Sequence, residues 1–92
     1  MIYDSDYVKM KIHNGVLDWS NGLTIVELSS IRRMQFHSKE PAIVLYTTNG
    51  THFLFPAGYP NTSDSREQKK FYKDMGNAYV WLTKMWHATK LK

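Results

Sequence analysis

The chain has 92 residues, 12 Lys and Arg against 8 Asp and Glu, a formal charge of +4 and no cysteine. A chain of this length has room for one domain with one core. The missing cysteine excludes disulfides, thiolate metal sites and cysteine nucleophiles, while the positive balance favours acidic partners or nucleic acid.

The first residues, Met1 to Asp6, contain no basic region followed by an apolar run, and no segment has the length of a membrane span. No membrane role and a cytoplasmic location are the resulting expectations. Three Asn-Gly pairs, Asn14-Gly15, Asn21-Gly22 and Asn49-Gly50, then separate runs of strand-like residues. Asn-Gly suits a two-residue hairpin loop because a type I′ turn needs φ > 0 at both central positions.

A two-residue loop also fixes which residues face each other. Around Asn14-Gly15 the expected partners are His13 with Val16, Ile12 with Leu17, Lys11 with Asp18 and Met10 with Trp19. Around Asn21-Gly22 they are Ser20 with Leu23, Trp19 with Thr24, Asp18 with Ile25 and Leu17 with Val26. The two registers agree and predict a three-strand meander from about Asp6 to Leu28. Val8, Met10, Ile12, Leu17, Trp19, Thr24 and Val26 share its inner face, and Lys9, Lys11, Asp18, Ser20 and Ile25 the other. Lys11 and Asp18 face each other as opposite charges, and the Val8–Ile12 strand is read as an open edge.

Ile31–His37 alternates Met34 and Phe36 with polar neighbours and reads as a fourth strand. Adjacent strand residues point to opposite faces, so Arg32 and Arg33 share a surface only if a bulge intervenes. One of them is available to pair with Glu27 or Asp18, and the other to contact a ligand. After the Ser38–Pro41 turn, Ala42–Thr48 and Thr51–Phe55 form the third hairpin. Tyr46 is expected opposite Phe53, Val44 opposite Phe55 and Leu45 opposite Leu54. With both faces apolar, this hairpin is read as central and covered on each side, and Tyr46, Phe53 and Phe55 join Trp19 and Phe71 as core.

Residues 57–63 read as a loop in which Tyr59, between Pro56 and Pro60, is a freely exposed aromatic. A helix is predicted from about 64 to 88, with a capping box from Asp64 and Glu67 or Ser65 and Gln68. Phe71, Met75, Ala78, Leu82 and Met85 make its apolar stripe, flanked by Tyr72, Tyr79 and Trp86. At about 100° per residue, Arg66, Lys69, Lys73 and Lys84 line the opposite side as a positive ridge with Val80 in its middle and Trp81 to one side.

The reading is one α+β domain: an antiparallel meander of about six strands, bent into a sheet or partial barrel and closed by one long C-terminal helix. From Val26 to about Met85 the pattern resembles a bacterial pleckstrin-homology-like (PH-like) domain. Its carriers are Val26–Ile31 leading into a strand, the Thr48-Asn49-Gly50 hairpin, Phe53 and Phe55, and Phe71 and Leu82 in the closing helix. That family commonly has seven strands, against the six placed here. Its lipid-binding members use basic residues around an extended first loop, whereas here Lys9 and Lys11 precede a bare Asn14-Gly15 turn. The resemblance therefore implies a protein-interaction scaffold and argues against a phosphoinositide pocket.

No catalytic, cofactor or metal constellation is present. His13, His37, His52 and His87 show no ligand spacing, although His37 and His52 could meet across strands. No phosphate loop, nucleophile elbow or paired-carboxylate motif appears. The expected function is a noncatalytic binding module, a small regulatory or inhibitory protein, including one of viral origin, that occupies an acidic surface of a protein partner. Arg66, Lys69, Lys73, Val80, Lys84, Arg32, Arg33 and Tyr59 are its candidate contacts. The alternative is nucleic-acid binding through the helix ridge and the Lys9/Lys11 strand face. A monomer or a homodimer is compatible with either.

Overall fold

A computed structural model describes residues 1–57 and 65–90. Among the described residues seven strands precede one helix: β1 (Ile2–Asp4), β2 (Lys9–His13), β3 (Val16–Trp19), β4 (Thr24–Glu27), β5 (Ile31–His37), β6 (Ala42–Thr47), β7 (Gly50–Leu54) and α1 (Ser65–Lys90). They form two antiparallel sheets, β1-β2-β3-β4 and β5-β6-β7, and neither closes into a barrel. A single turn of 3₁₀ helix at Leu28–Ser30 separates them. The meander is thus broken where one bent sheet was expected, because Ser29 and Ser30 leave the strand pattern and Leu28 turns into the core.

The additional strand is β1, which pairs Ile2 with Lys11, Tyr3 with Met10 and Asp4 with Lys9. It is only three residues long and too polar to announce itself by alternation. Its presence covers the β2 edge that the sequence left open. Tyr3 also ties it to α1, its ring centroid lying 5.6 Å from that of Trp81. Burial, and secondly the Asp74 carboxylate, raise the Tyr3 phenol above its ordinary pKa.

The first two registers match the expectation pair for pair in the strands. Asn14 and Gly15 both have positive φ (52° and 74°), as a type I′ turn requires. The second loop is longer than two residues: pairing stops at Trp19 and Thr24, and Ser20, Asn21 and Gly22 all take positive φ. Asp18 stabilises that loop by accepting the Gly22 N–H at 2.6 Å.

The third hairpin departs from its predicted register. Its loop is Thr48-Asn49, with Thr47 opposite Gly50, Tyr46 opposite Thr51, Val44 opposite Phe53, Leu45 opposite His52 and Ile43 opposite Leu54. The cause is local: the Thr47 hydroxyl accepts the Asn49 N–H at 3.1 Å and donates to the Gly50 carbonyl at 2.7 Å. This leaves positive φ to Gly50 alone, at 128°. A shift of two residues preserves which side chains share a face.

The inner faces of both sheets and α1 enclose one apolar core, which includes Met10, Leu17 and Trp19 from the first sheet, Ile43, Leu45 and Leu54 from the second, and Met75, Ala78 and Leu82 from the helix. Among the described residues no polar or charged side chain is buried. Trp86 replaces Met85 as the last buried residue of the helical stripe. Further fastening comes from Tyr7 against Phe71, Phe36 against Tyr79, and the Tyr72 hydroxyl donating to the Lys39 carbonyl at 2.9 Å. No helix is long and apolar enough to cross a membrane among the described residues.

Candidate recognition surface

The outer face of the second sheet follows from a single irregularity in β5. Ile31 pairs with Thr47 but Arg33 pairs with Tyr46, so Arg32 is an extra residue, a bulge. Without it Ile31 and Arg33 would share a face. With it Ile31 and Met34 are both buried, while Arg32 and Arg33 are both exposed. The bulge therefore brings the two arginines to the solvent side. Neither pairs with Glu27 or Asp18; Lys9 pairs with Asp4 at 2.7 Å.

Register places Gln35, Val44, Tyr46, Thr51 and Phe53 on the same outer face as Arg33. The Arg33 guanidinium lies 4.3 Å from the Tyr46 ring centroid, a cation–π contact that holds the charge flat against the sheet. The Tyr46 hydroxyl donates to Gln35 Oε1 at 3.2 Å and so orients the ring from its other end. Phe53 is 58% exposed and Phe55 36%. Tyr46, Phe53 and Phe55 therefore do not belong to the enclosed core, whereas Ala42 and Val44 on the same outer face are buried, so the outer side of the hairpin is covered only around those two residues. The reason is that β5 sets the sheet's polarity: Met34 and Phe36 face inward, so their neighbours Arg33, Gln35 and His37 turn the other side outward.

The electrostatics of this face are one-sided. β5, β6 and β7 contain two arginines and no carboxylate. An exposed ring beside a fixed guanidinium, with no internal acid to neutralise it, can take an acidic group against the cation and an apolar or planar group against the ring.

The other predicted residues fall elsewhere. Arg66, Lys69, Lys73, Val80 and Lys84 all lie exposed along one side of α1, with Val80 52% exposed. The helix packs on the inner side of the second sheet, so the ridge and the arginine face are separated by the core. Trp81 is partly covered and packs toward β1. Lys9, one of the two strand lysines, is engaged by Asp4. Tyr59 and Asp64 lie outside the described residues. His37 and His52 do not meet: register sets them on opposite faces of the sheet, on strands flanking β6. Among the described residues no group of three His, Asp or Glu side chains is placed to hold a metal ion.

Tyr46 and Phe53 stand on this outer face, although the sequence pattern assigned them to the core. The usable signal was the polar alternation of Arg33, Gln35 and His37, which marks one face of the sheet as outer once β5 is paired to β6. No family model matches the chain, and neither the curated proteins nor the solved structures contain a match.

Proposed function

We propose that the chain is a noncatalytic binding module that docks the outer face of its second sheet onto an acidic surface of a protein partner, acting as a small regulatory or inhibitory protein by occupying that surface. The observation that carries this reading is the arginine–aromatic face itself: Arg32 and Arg33 brought to one side by a bulge, Arg33 held 4.3 Å over Tyr46, and Phe53 open to solvent on a carboxylate-free sheet. Arginine and large aromatic residues are the usual energetic anchors of protein interfaces. The helix ridge adds long-range attraction for the same acidic partner and acts mainly on association rate. Seven strands followed by a closing helix add to the resemblance to PH-like domains, which implies the same kind of role.

Affinity capture from native cell extract, followed by mass spectrometry, tests this reading. The unmodified chain is compared with an Arg33→Glu/Phe53→Asp variant and with a Lys69→Glu/Lys73→Glu/Lys84→Glu variant. The sheet variant is expected to lose the partner, and the ridge variant to retain it at reduced yield. Equal recovery with the sheet variant contradicts the proposal.

A second reading, single-stranded nucleic acid, is favoured by the exposed Phe53 ring beside the Arg33–Tyr46 stack, since unstacked bases pair with such platforms. It differs in its salt dependence. Retention on random RNA and DNA that falls steeply between 50 and 200 mM salt, roughly as counterion release requires, supports it. No retention at low salt removes it.

A further inference from the structure

The first sheet carries a different outer surface. Its three registers align Ile2 with Lys11, Lys11 with Asp18 and Asp18 with Ile25, so these four side chains form one rank straight across β1-β2-β3-β4. The rank is apolar at both ends and carries opposite charges at its two middle positions. Ile2 is 69% exposed and Ile25 56%, an unusual amount of aliphatic surface on the outside of a small sheet. The same four residues, with Met1 and Val16, border an open hollow of about 590 Å³.

We propose that this face is the interface of a two-fold homodimer. A two-fold axis running along the strands between β2 and β3 places the rank of one protomer over that of its partner in reverse order. Each Ile2 then meets an Ile25, and each Lys11 meets an Asp18. Two-fold symmetry makes every contact occur twice. Neither central charge is already spent on the other: Lys11 has no ionic partner among the described residues, and Asp18 uses Oδ1 on the Gly22 N–H, which leaves Oδ2 to accept from a lysine. Of the nearby charges Asp4 is paired with Lys9, and Glu27 at the end of β4 adds one exposed carboxylate beyond the rank. The chemistry selects a second copy over a partner of one sign because the two-fold sets each Lys11 against an Asp18 and each exposed isoleucine against another, so the rank is complementary to itself. By the same test the arginine face of the second sheet repels its own copy.

Four strands about 4.8 Å apart make a small contact, below the ~800 Å² per partner of a stable complex. The dimer is accordingly weak, with a dissociation constant of roughly 10–500 μM. It is a separate claim from the partner-binding role of the second sheet and survives if that role fails.

Sedimentation equilibrium on the full chain up to about 1 mM tests it, using the Lys11→Asp and Asp18→Lys proteins separately and mixed. In the proposed dimer, Lys11→Asp sets two acids against two acids, and Asp18→Lys sets two lysines against two lysines. Each alone is expected to dissociate at least tenfold more readily. An equimolar mixture restores two opposite-charge pairs and is expected to form heterodimers with close to the original affinity. Ile25→Asp, at an exposed position that the fold tolerates, is expected to abolish association. A chain monomeric at 1 mM overturns the proposal. So does a dimer indifferent to Ile25→Asp, which indicates edge pairing instead, or a mixture no tighter than the single variants.

Discussion

The two sheets bury their inner faces in one core yet present opposite kinds of outer surface. The first alternates signs, with Asp4, Lys9, Lys11, Asp18 and Glu27 among exposed isoleucines; the second has arginines, aromatic rings and no carboxylate. A face of mixed sign can satisfy itself or its own copy. A face of one sign is complementary only to something different. The recognition surface we propose therefore lies on the second sheet, although the first has more strands and the helix has more cations.

The largest effect expected from mutation tests whether the sheets are one cooperative unit. Leu17→Ala in the first sheet and Leu45→Ala in the second each remove a fully buried side chain, and each should cost about 2–5 kcal/mol. Because both leucines belong to the same cluster, urea unfolding followed by far-UV circular dichroism and by tryptophan fluorescence should give coincident transitions for both variants. Separate transitions would divide the molecule into two cores.

Next in size is the contrast in binding. Arg33→Glu and Phe53→Asp should each weaken capture of the partner by about 1–3 kcal/mol, with little change in the unfolding midpoint because both side chains are exposed. Lys11→Asp on the first sheet should leave the same capture unchanged.

A third comparison sets two Asn-Gly pairs side by side. Neither Gly15 nor Gly50 has any atom within 4 Å of an added Cβ, so alanine there reports backbone conformation alone. Gly15, at φ 74°, is in the left-handed region and its replacement should cost about 1 kcal/mol. Gly50, at φ 128°, lies further from what a side chain permits and should cost more, about 1–3 kcal/mol. Equal losses would mean the third hairpin uses the same turn as the first.

The smallest effect is a pH dependence at the β1–helix contact. The Tyr3 phenol has a folded-state pKa above its ordinary value of 10.0, through burial first and Asp74 second. Its contribution to stability is complete below pH 10 and declines as pH rises through the folded value, because there the unfolded chain loses the proton first. Urea midpoints at pH 9 and pH 11 should therefore fall less for Tyr3→Phe than for the unmodified chain. The opposite order would place Tyr3 in solvent.

These elements were unequally legible in the sequence. The first two hairpins are, because a positive-φ pair beside alternating residues leaves one register open. The long helix is equally plain, since Phe71, Met75, Ala78 and Leu82 recur at helical spacing. Strand β1 is not, being three residues held in place by β2 and by Tyr3 against Trp81. The third register escaped because the Thr47 hydroxyl, through local bonds to the Asn49 N–H and the Gly50 carbonyl, outweighed the Asn-Gly preference. The sharing of a surface by Arg32 and Arg33 was visible only as a condition, the presence of a bulge, and Phe53 read as core because two apolar faces look alike until one is paired with the polar side of β5.

The central claim, that the second sheet's outer face is the recognition surface, is most directly tested by amide chemical shifts of the full chain titrated with a short polyglutamate peptide. The account predicts perturbations centred on Arg32, Arg33, Tyr46, Thr51 and Phe53, lost in Arg33→Glu/Phe53→Asp. Perturbations confined to Lys69, Lys73 and Lys84 on the helix, or spread evenly over all cations, would contradict it.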